Sequence, residues 1–102
     1  MDQALVIGAG IPAAWVESPE GVAVKRMPTW HGALNYRMAM TDSNTLKVRL
    51  SGDVIAPPGG IILHSPVDRP LQEVTVNGRP ITTFTDHTAT LHQFPADVEL
   101  RY

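Results

Sequence analysis

Leu34, Tyr36, Met38 and Met40 share one parity against Asn35, Arg37 and Ala39, and Leu46, Val48 and Leu50 repeat the alternation against Lys47 and Arg49. A period of two is the spacing of a strand with one face on a core and the other toward water. It is not the spacing of a helix, whose apolar stripe returns every three to four residues. Between the two segments, Thr41-Asp42-Ser43-Asn44 is turn chemistry, so they are expected to form an antiparallel hairpin. An isolated hairpin is marginal in water, and the apolar side of this one demands further strands to cover it.

The rest of the chain supplies them. Ala4-Leu5-Val6-Ile7 is a short apolar run ended by Gly8 and Gly10, consistent with a buried strand. Pro12 suits the first turn of a short helix through Val16, which Ser18-Pro19-Glu20-Gly21 stops. Val22 and Val24 open a strand expected to run to Met27 and to break at Pro28. Ile61-Ile62-Leu63 follows a Pro/Gly-rich connection from Gly52 to Gly60. Val74 and Val76 lead into Asn77-Gly78, a strong two-residue hairpin signal because both positions tolerate positive φ. Pro80 then requires a return strand that is short or at an edge. The threonine-rich stretch from Thr82 to Thr90 reads as one or two weak strands, and Val98 to Tyr102 as a closing strand. The expected fold is all-β: an antiparallel β-sandwich of about seven to eight short strands, with one short helical turn near the N-terminus. With 102 residues, 43% of them hydrophobic, residues 1–102 are expected to form a single domain able to bury one core.

Composition excludes several classes of function. Eight basic and ten acidic residues give a formal charge of -2 without any block of like charge. The basic footprint of a nucleic-acid binder is not visible, and no nucleic-acid partner is expected. The absence of cysteine rules out disulfides and thiolate zinc sites. No apolar run approaches the ~18–20 residues of a membrane span, so no membrane partner is expected. The first residues lack the basic and long apolar regions of a signal peptide, and the chain begins almost inside a structural element; it is expected to be a domain cut from a longer protein.

Gly8-Ala9-Gly10-Ile11-Pro12-Ala13 satisfies the G-x-G-x-x-A form of the dinucleotide fingerprint. Pyrophosphate binding also needs a long helix within a βαβ unit and an acidic residue about 20 positions on. Pro19 and Gly21 cut the helix short and Met27-Pro28-Thr29-Trp30 carries no acid, so the glycines read as a tight turn and no nucleotide cofactor is expected. Asp86, His87 and His92 contain ligand types for a metal, but an offset of five along a strand puts the two histidines on opposite sides, and no metal site is expected. Asp42, Asp53 and Asp68 stand beside turn residues, while Glu73 and Glu99 fall on polar strand faces. Ser18, Ser43, Ser51 and Ser65 also lie near turns, and none sits in a nucleophile elbow. No catalytic residue is assigned. Among the aromatics, Tyr36 is expected in the core and Trp15 is expected to cap it. Trp30, in the loop Pro28-Thr29-Trp30-His31-Gly32, is a candidate platform for a sugar ring or an anchor on a neighbouring domain.

The run Leu5-Val6-Ile7-Gly8-Ala9-Gly10-Ile11-Pro12-Ala13-Ala14-Trp15-Val16 resembles the segment that leaves the catalytic barrel in bacterial glycoside-hydrolase-like proteins of the (α/α)6 type. Gly21-Val22-Ala23-Val24, Met27-Pro28-Thr29 and Gly32-Ala33-Leu34-Asn35-Tyr36 are similar to their next two strands. Pro57-Pro58-Gly59-Gly60-Ile61-Ile62-Leu63 and Val74-Thr75-Val76-Asn77-Gly78-Arg79-Pro80 are similar to the later strand and closing hairpin. The resemblance covers nearly the whole chain and implies a C-terminal accessory β-sandwich. It carries no catalytic residue here, because the acids of that family lie in the helical barrel. It implies a non-catalytic role, with Ile11, Trp15, Trp30 and His31 as the contact to the parent protein's catalytic domain or to sugar. A carbohydrate-binding module using exposed aromatics is the alternative.

Overall fold

A computed structural model describes residues 5–7, 13–17, 21–29, 32–55, 59–67 and 69–102. Its strands are β1 (Leu5–Ile7), β2 (Val22–Thr29), β3 (Gly32–Asp42), β4 (Thr45–Gly52), β5 (Ile61–His64), β6 (Glu73–Val76), β7 (Arg79–Ile81), β8 (Thr88–Leu91) and β9 (Ala96–Arg101). The helix α1 (Ala13–Glu17) is the short turn expected before β2. Nine described strands form two sheets, one of six in the order β2-β3-β4-β9-β6-β7 and one of three in the order β1-β5-β8. The chain has the all-β, sandwich-like fold that its alternation implies.

The hairpin signals translate into register. In β3 and β4, Leu34 faces Gly52, Tyr36 faces Leu50, Met38 faces Val48 and Met40 faces Leu46. Asp42 Oδ1 accepts the Asn44 amide at 2.7 Å, the side-chain turn that aspartate and asparagine favour. Asn77 and Gly78 take φ of 52° and 83°, the double positive value of a tight hairpin turn, and join β6 to β7. Pro80 sits in β7 at the sheet edge, where a missing amide costs no ladder bond.

Two features depart from the expectation and a third goes beyond it. Pro28 does not break β2, which continues through it to Thr29; β2 is an edge strand, so proline is tolerated there as in β7. The closing strand expected from Val98 is β9, and its place in the sheet, which the sequence left open, is between β4 and β6 rather than at an edge. The sandwich is not wholly antiparallel, because β1 pairs with β5 in parallel.

Both sheets feed one core. Leu34, Met38, Leu46, Val48, Leu50, Val74, Val76, Val98 and Leu100 from the larger sheet cluster with Ile7, Ile61, Leu63, Ala89 and Leu91 from the smaller. Val16 of α1 joins them fully buried. Among the described residues no polar or charged side chain is buried, so desolvation falls on apolar groups, where it stabilises.

Candidate functional site

Because successive strand residues alternate, the residues opposite the core line the outer face of the six-stranded sheet. Cross-strand pairing sets out that face as rows: Ala23, Arg37, Arg49 and Asp97 in one, Ala39, Lys47, Glu99 and Thr75 in the next. Arg49 Nε donates to Asp97 Oδ1 at 2.9 Å, and Lys47 Nζ stands 3.6 Å from Glu99. Both pairs are well exposed, worth at most about 1 kcal/mol each. Arg37 makes no ion pair or hydrogen bond through its side chain among the described residues, and the residues directly opposite it are Ala23 on β2 and another arginine, Arg49, on β4.

One row further along, β2 bulges. The register steps from Val24 opposite Tyr36 to Met27 opposite Leu34, which leaves Lys25 and Arg26 to face Asn35 alone. Arg26 holds a φ of 55°, unusual for a residue with a side chain, and its amide donates to Asn35 Oδ1 at 2.7 Å. Lys25, Arg26, Asn35, Ser51 and Asp53 rim a shallow depression here, and a second, over Arg37, Lys47 and Arg49, adjoins Asp97 and Glu99. Over these rows Arg37, Lys47 and Arg49 lie on β3 and β4 and Asp97 and Glu99 on β9, while Asp53, just past β4, shares the depression with Lys25 and Arg26.

The aromatic residues are arranged differently from the expectation. Trp15 does not cap the core: it is 57% exposed, and its neighbour Val16 supplies the buried contact, since a five-residue helix presents only one narrow stripe inward. Tyr36, Phe84, Phe94 and Tyr102 pack against the core cluster. Val6 and Ile55 are the other large apolar side chains left exposed among the described residues, Ile55 at 81%. Ile11, Trp30 and His31 lie outside the described residues, as do the fingerprint positions Gly8 to Pro12. What is described around that fingerprint differs from a nucleotide fold: α1 is five residues long, and β1 and β2 belong to separate sheets.

Tyr102 forms a clasp. Its hydroxyl hydrogen-bonds the Ser65 hydroxyl, its ring lies 5.3 Å below the Arg69 guanidinium, and its amide donates to the Asn44 carbonyl at 2.9 Å. Arg69 also donates to Ser43 O at 2.6 Å and to Asn44 Oδ1 at 3.1 Å. The clasp ties the β5–β6 connection to the β3–β4 turn. Burial raises the phenol pKa, opposed by the Ser65 hydrogen bond and the Arg69 charge; burial also raises that of Tyr36. The partner of the Ser65 hydroxyl in this cluster is the Tyr102 phenol.

Among the described residues no group of three histidines and acids is placed to hold a metal. His87 and His92 flank β8 at its two ends, both exposed. Glu73 and Glu99 take the outer face, as their parity implies, and Asp42 serves its turn. No described helix is long and apolar enough to cross a membrane. The described residues therefore define an all-β, two-sheet protein with a charged outer face on the larger sheet and an exposed tryptophan, Trp15, on a short helix. No family model, curated protein or solved structure matches the chain.

Proposed function

We propose that this chain is a non-catalytic accessory β-sandwich of a bacterial, glycosidase-like, carbohydrate-active protein, and that it packs on and stabilises the catalytic domain of that protein. The observation that carries the reading is the 57% exposure of Trp15 on a helix whose next residue is wholly buried. A five-residue helix anchored by the buried Val16 presents a large amphipathic ring to solvent, an arrangement suited to an interface anchor. Docking between domains buries about 600–1,500 Å², and the resemblance of the Leu5–Val16 run to a barrel exit segment supports this as the contact.

The test uses the reading frame upstream of Met1. A helical-barrel domain is expected there, and its melting temperature in the joined protein is expected to fall by several degrees on Trp15→Ser. Hydrolysis of aryl glycosides or oligosaccharides by the chain alone, or a frame encoding no such domain, sinks the reading. The exposure of Trp15 also supports a second reading, a carbohydrate-binding module. Titration with neutral oligosaccharides separates the two: a tryptophan emission shift abolished by Trp15→Phe favours sugar binding, and an unchanged spectrum favours docking.

A further inference from the structure

We infer that the basic half of the outer face, on β2, β3 and β4, binds a single chain of carboxylated polysaccharide running along the strands. This ligand site is separate from the Trp15 helix, so it stands or falls independently of the accessory role.

Three observations point to it. Lys25, Arg26 and Arg37 have side chains with no carboxylate partner among the described residues, although Asp97 and Glu99 stand only two strands from Arg37. Arg37 faces Arg49 directly across the ladder, a like-charge pairing that disfavours the sheet and that the Arg49–Asp97 ion pair only partly offsets. Arg26 adopts left-handed backbone at the β2 bulge, which turns two basic residues onto the level of Asn35. The facing arginines and the left-handed Arg26 cost stability, and all three observations bring positive charge onto the same strip.

The strip has the dimensions of one sugar chain. Its cations lie at three successive outward levels of β3: Lys25 and Arg26 beside Asn35, Arg49 beside Arg37, and Lys47 beside Ala39. Outward residues recur every ~6.8 Å along a strand, and three strands span about 10 Å across. That width suits a thin chain with spaced charges. A nucleic-acid duplex, with a charge every ~1.7 Å, would bring dense phosphate against Asp97 and Glu99 on the adjacent strand. Arg37 offers a planar fork that pairs with a carboxylate through two hydrogen bonds. Ser51 and the Asn35 side-chain NH2 line the same depression as Lys25 and Arg26, where they can meet sugar hydroxyls, with the Asp53 carboxylate at its end. Ala23 and Ala39 keep the floor low beside Arg37.

The probe is a galacturonate hexamer, titrated into the protein at about 50 mM salt and followed by amide chemical shifts and calorimetry. Shifts are expected on the outward residues of β2–β4, with affinity falling several-fold at about 200 mM salt. Arg37→Glu is expected to weaken binding by about tenfold or more without moving the melting temperature, whereas Arg79→Glu, on β7 at the far edge, leaves it unchanged. The inference is overturned if the hexamer does not bind, if a neutral hexamer binds as well, if Arg37→Glu is without effect, or if single-stranded DNA of matched length binds more tightly.

Discussion

Tyr102 shows how a single side chain couples stability to pH. Its hydroxyl is held by Ser65 and its ring by Arg69, and burial raises its pKa above the ordinary 10.0. Near that pH the unfolded chain releases the phenolic proton while the folded protein retains it, so the folded state binds more protons and stability falls as pH rises. The contribution is complete below pH 10 and is lost as pH climbs through the folded pKa. Tyr102→Phe is expected to cost about 0.5–1.5 kcal/mol near neutrality, through the lost Ser65 hydrogen bond. It should also flatten the alkaline decline, leaving the share due to Tyr36, whose pKa is likewise raised by burial. Urea midpoints measured from neutral pH to above pH 10 decide it; parallel declines in both proteins would remove Tyr102 as the source. None of this was legible beforehand, because Ser65 and Tyr102 are 37 residues apart and carry no periodic signal.

At the scale of elements, turns and strand ends divide by whether the chain has neighbours. Gly32, where β3 begins, has a φ of 124°, and a Cβ there would overlap the carbonyl oxygen of Asp53, the residue just past the end of β4. Gly78, at the tip of the β6–β7 hairpin, has a φ of 83° and open space around it. Gly78→Ala is therefore expected to cost the backbone penalty alone, about 1–2 kcal/mol. Gly32→Ala adds a steric clash and should cost more, enough to pull the β2–β3 and β3–β4 pairings apart at their shared end. Thermal melts of the two variants rank them, and an equal loss would refute the argument. Asn77-Gly78 was readable as a turn because both of its residues carry their own conformational preference. Gly32 was not distinguishable as a point of close approach, since the atom it must avoid belongs to Asp53. Trp15 was misread for a related reason: parity ranks residues along a strand, but a five-residue helix offers too short a period to show which side faces inward.

Across the whole molecule, protection is expected to follow sheet position. The β4 strand has β3 and β9 on its two sides, and β9 has β4 and β6, so both strands have ladder partners along each edge. Their inward residues Leu46, Val48, Val98 and Leu100 are almost without exposure. Amides of these two strands should exchange slowest, near the limit set by global unfolding, and those of β1 and β7 fastest. Hydrogen exchange followed by nuclear magnetic resonance tests the order; protection of β7 equal to that of β9 would contradict it. The charged outer face is likewise a property of the assembled sheet. Arg37, Lys47 and Arg49 were each legible as polar-face residues of an alternating strand, but their meeting beside Lys25 and Arg26 depends on register and on the β2 bulge.

Alternation, turn residues and proline placement determined that this chain is all-β, that residues 34–50 form a hairpin, and that Asn77-Gly78 turns the chain back. Those signals act between near neighbours, and local sterics suffice to write them. Tertiary structure decided the rest: that β9 enters the middle of the larger sheet, that β1 joins β5 in parallel, and that the unpartnered cations share one strip. Strand partners far apart in sequence are selected by burying one common core, and that energy belongs to the assembled sheets and to no single segment.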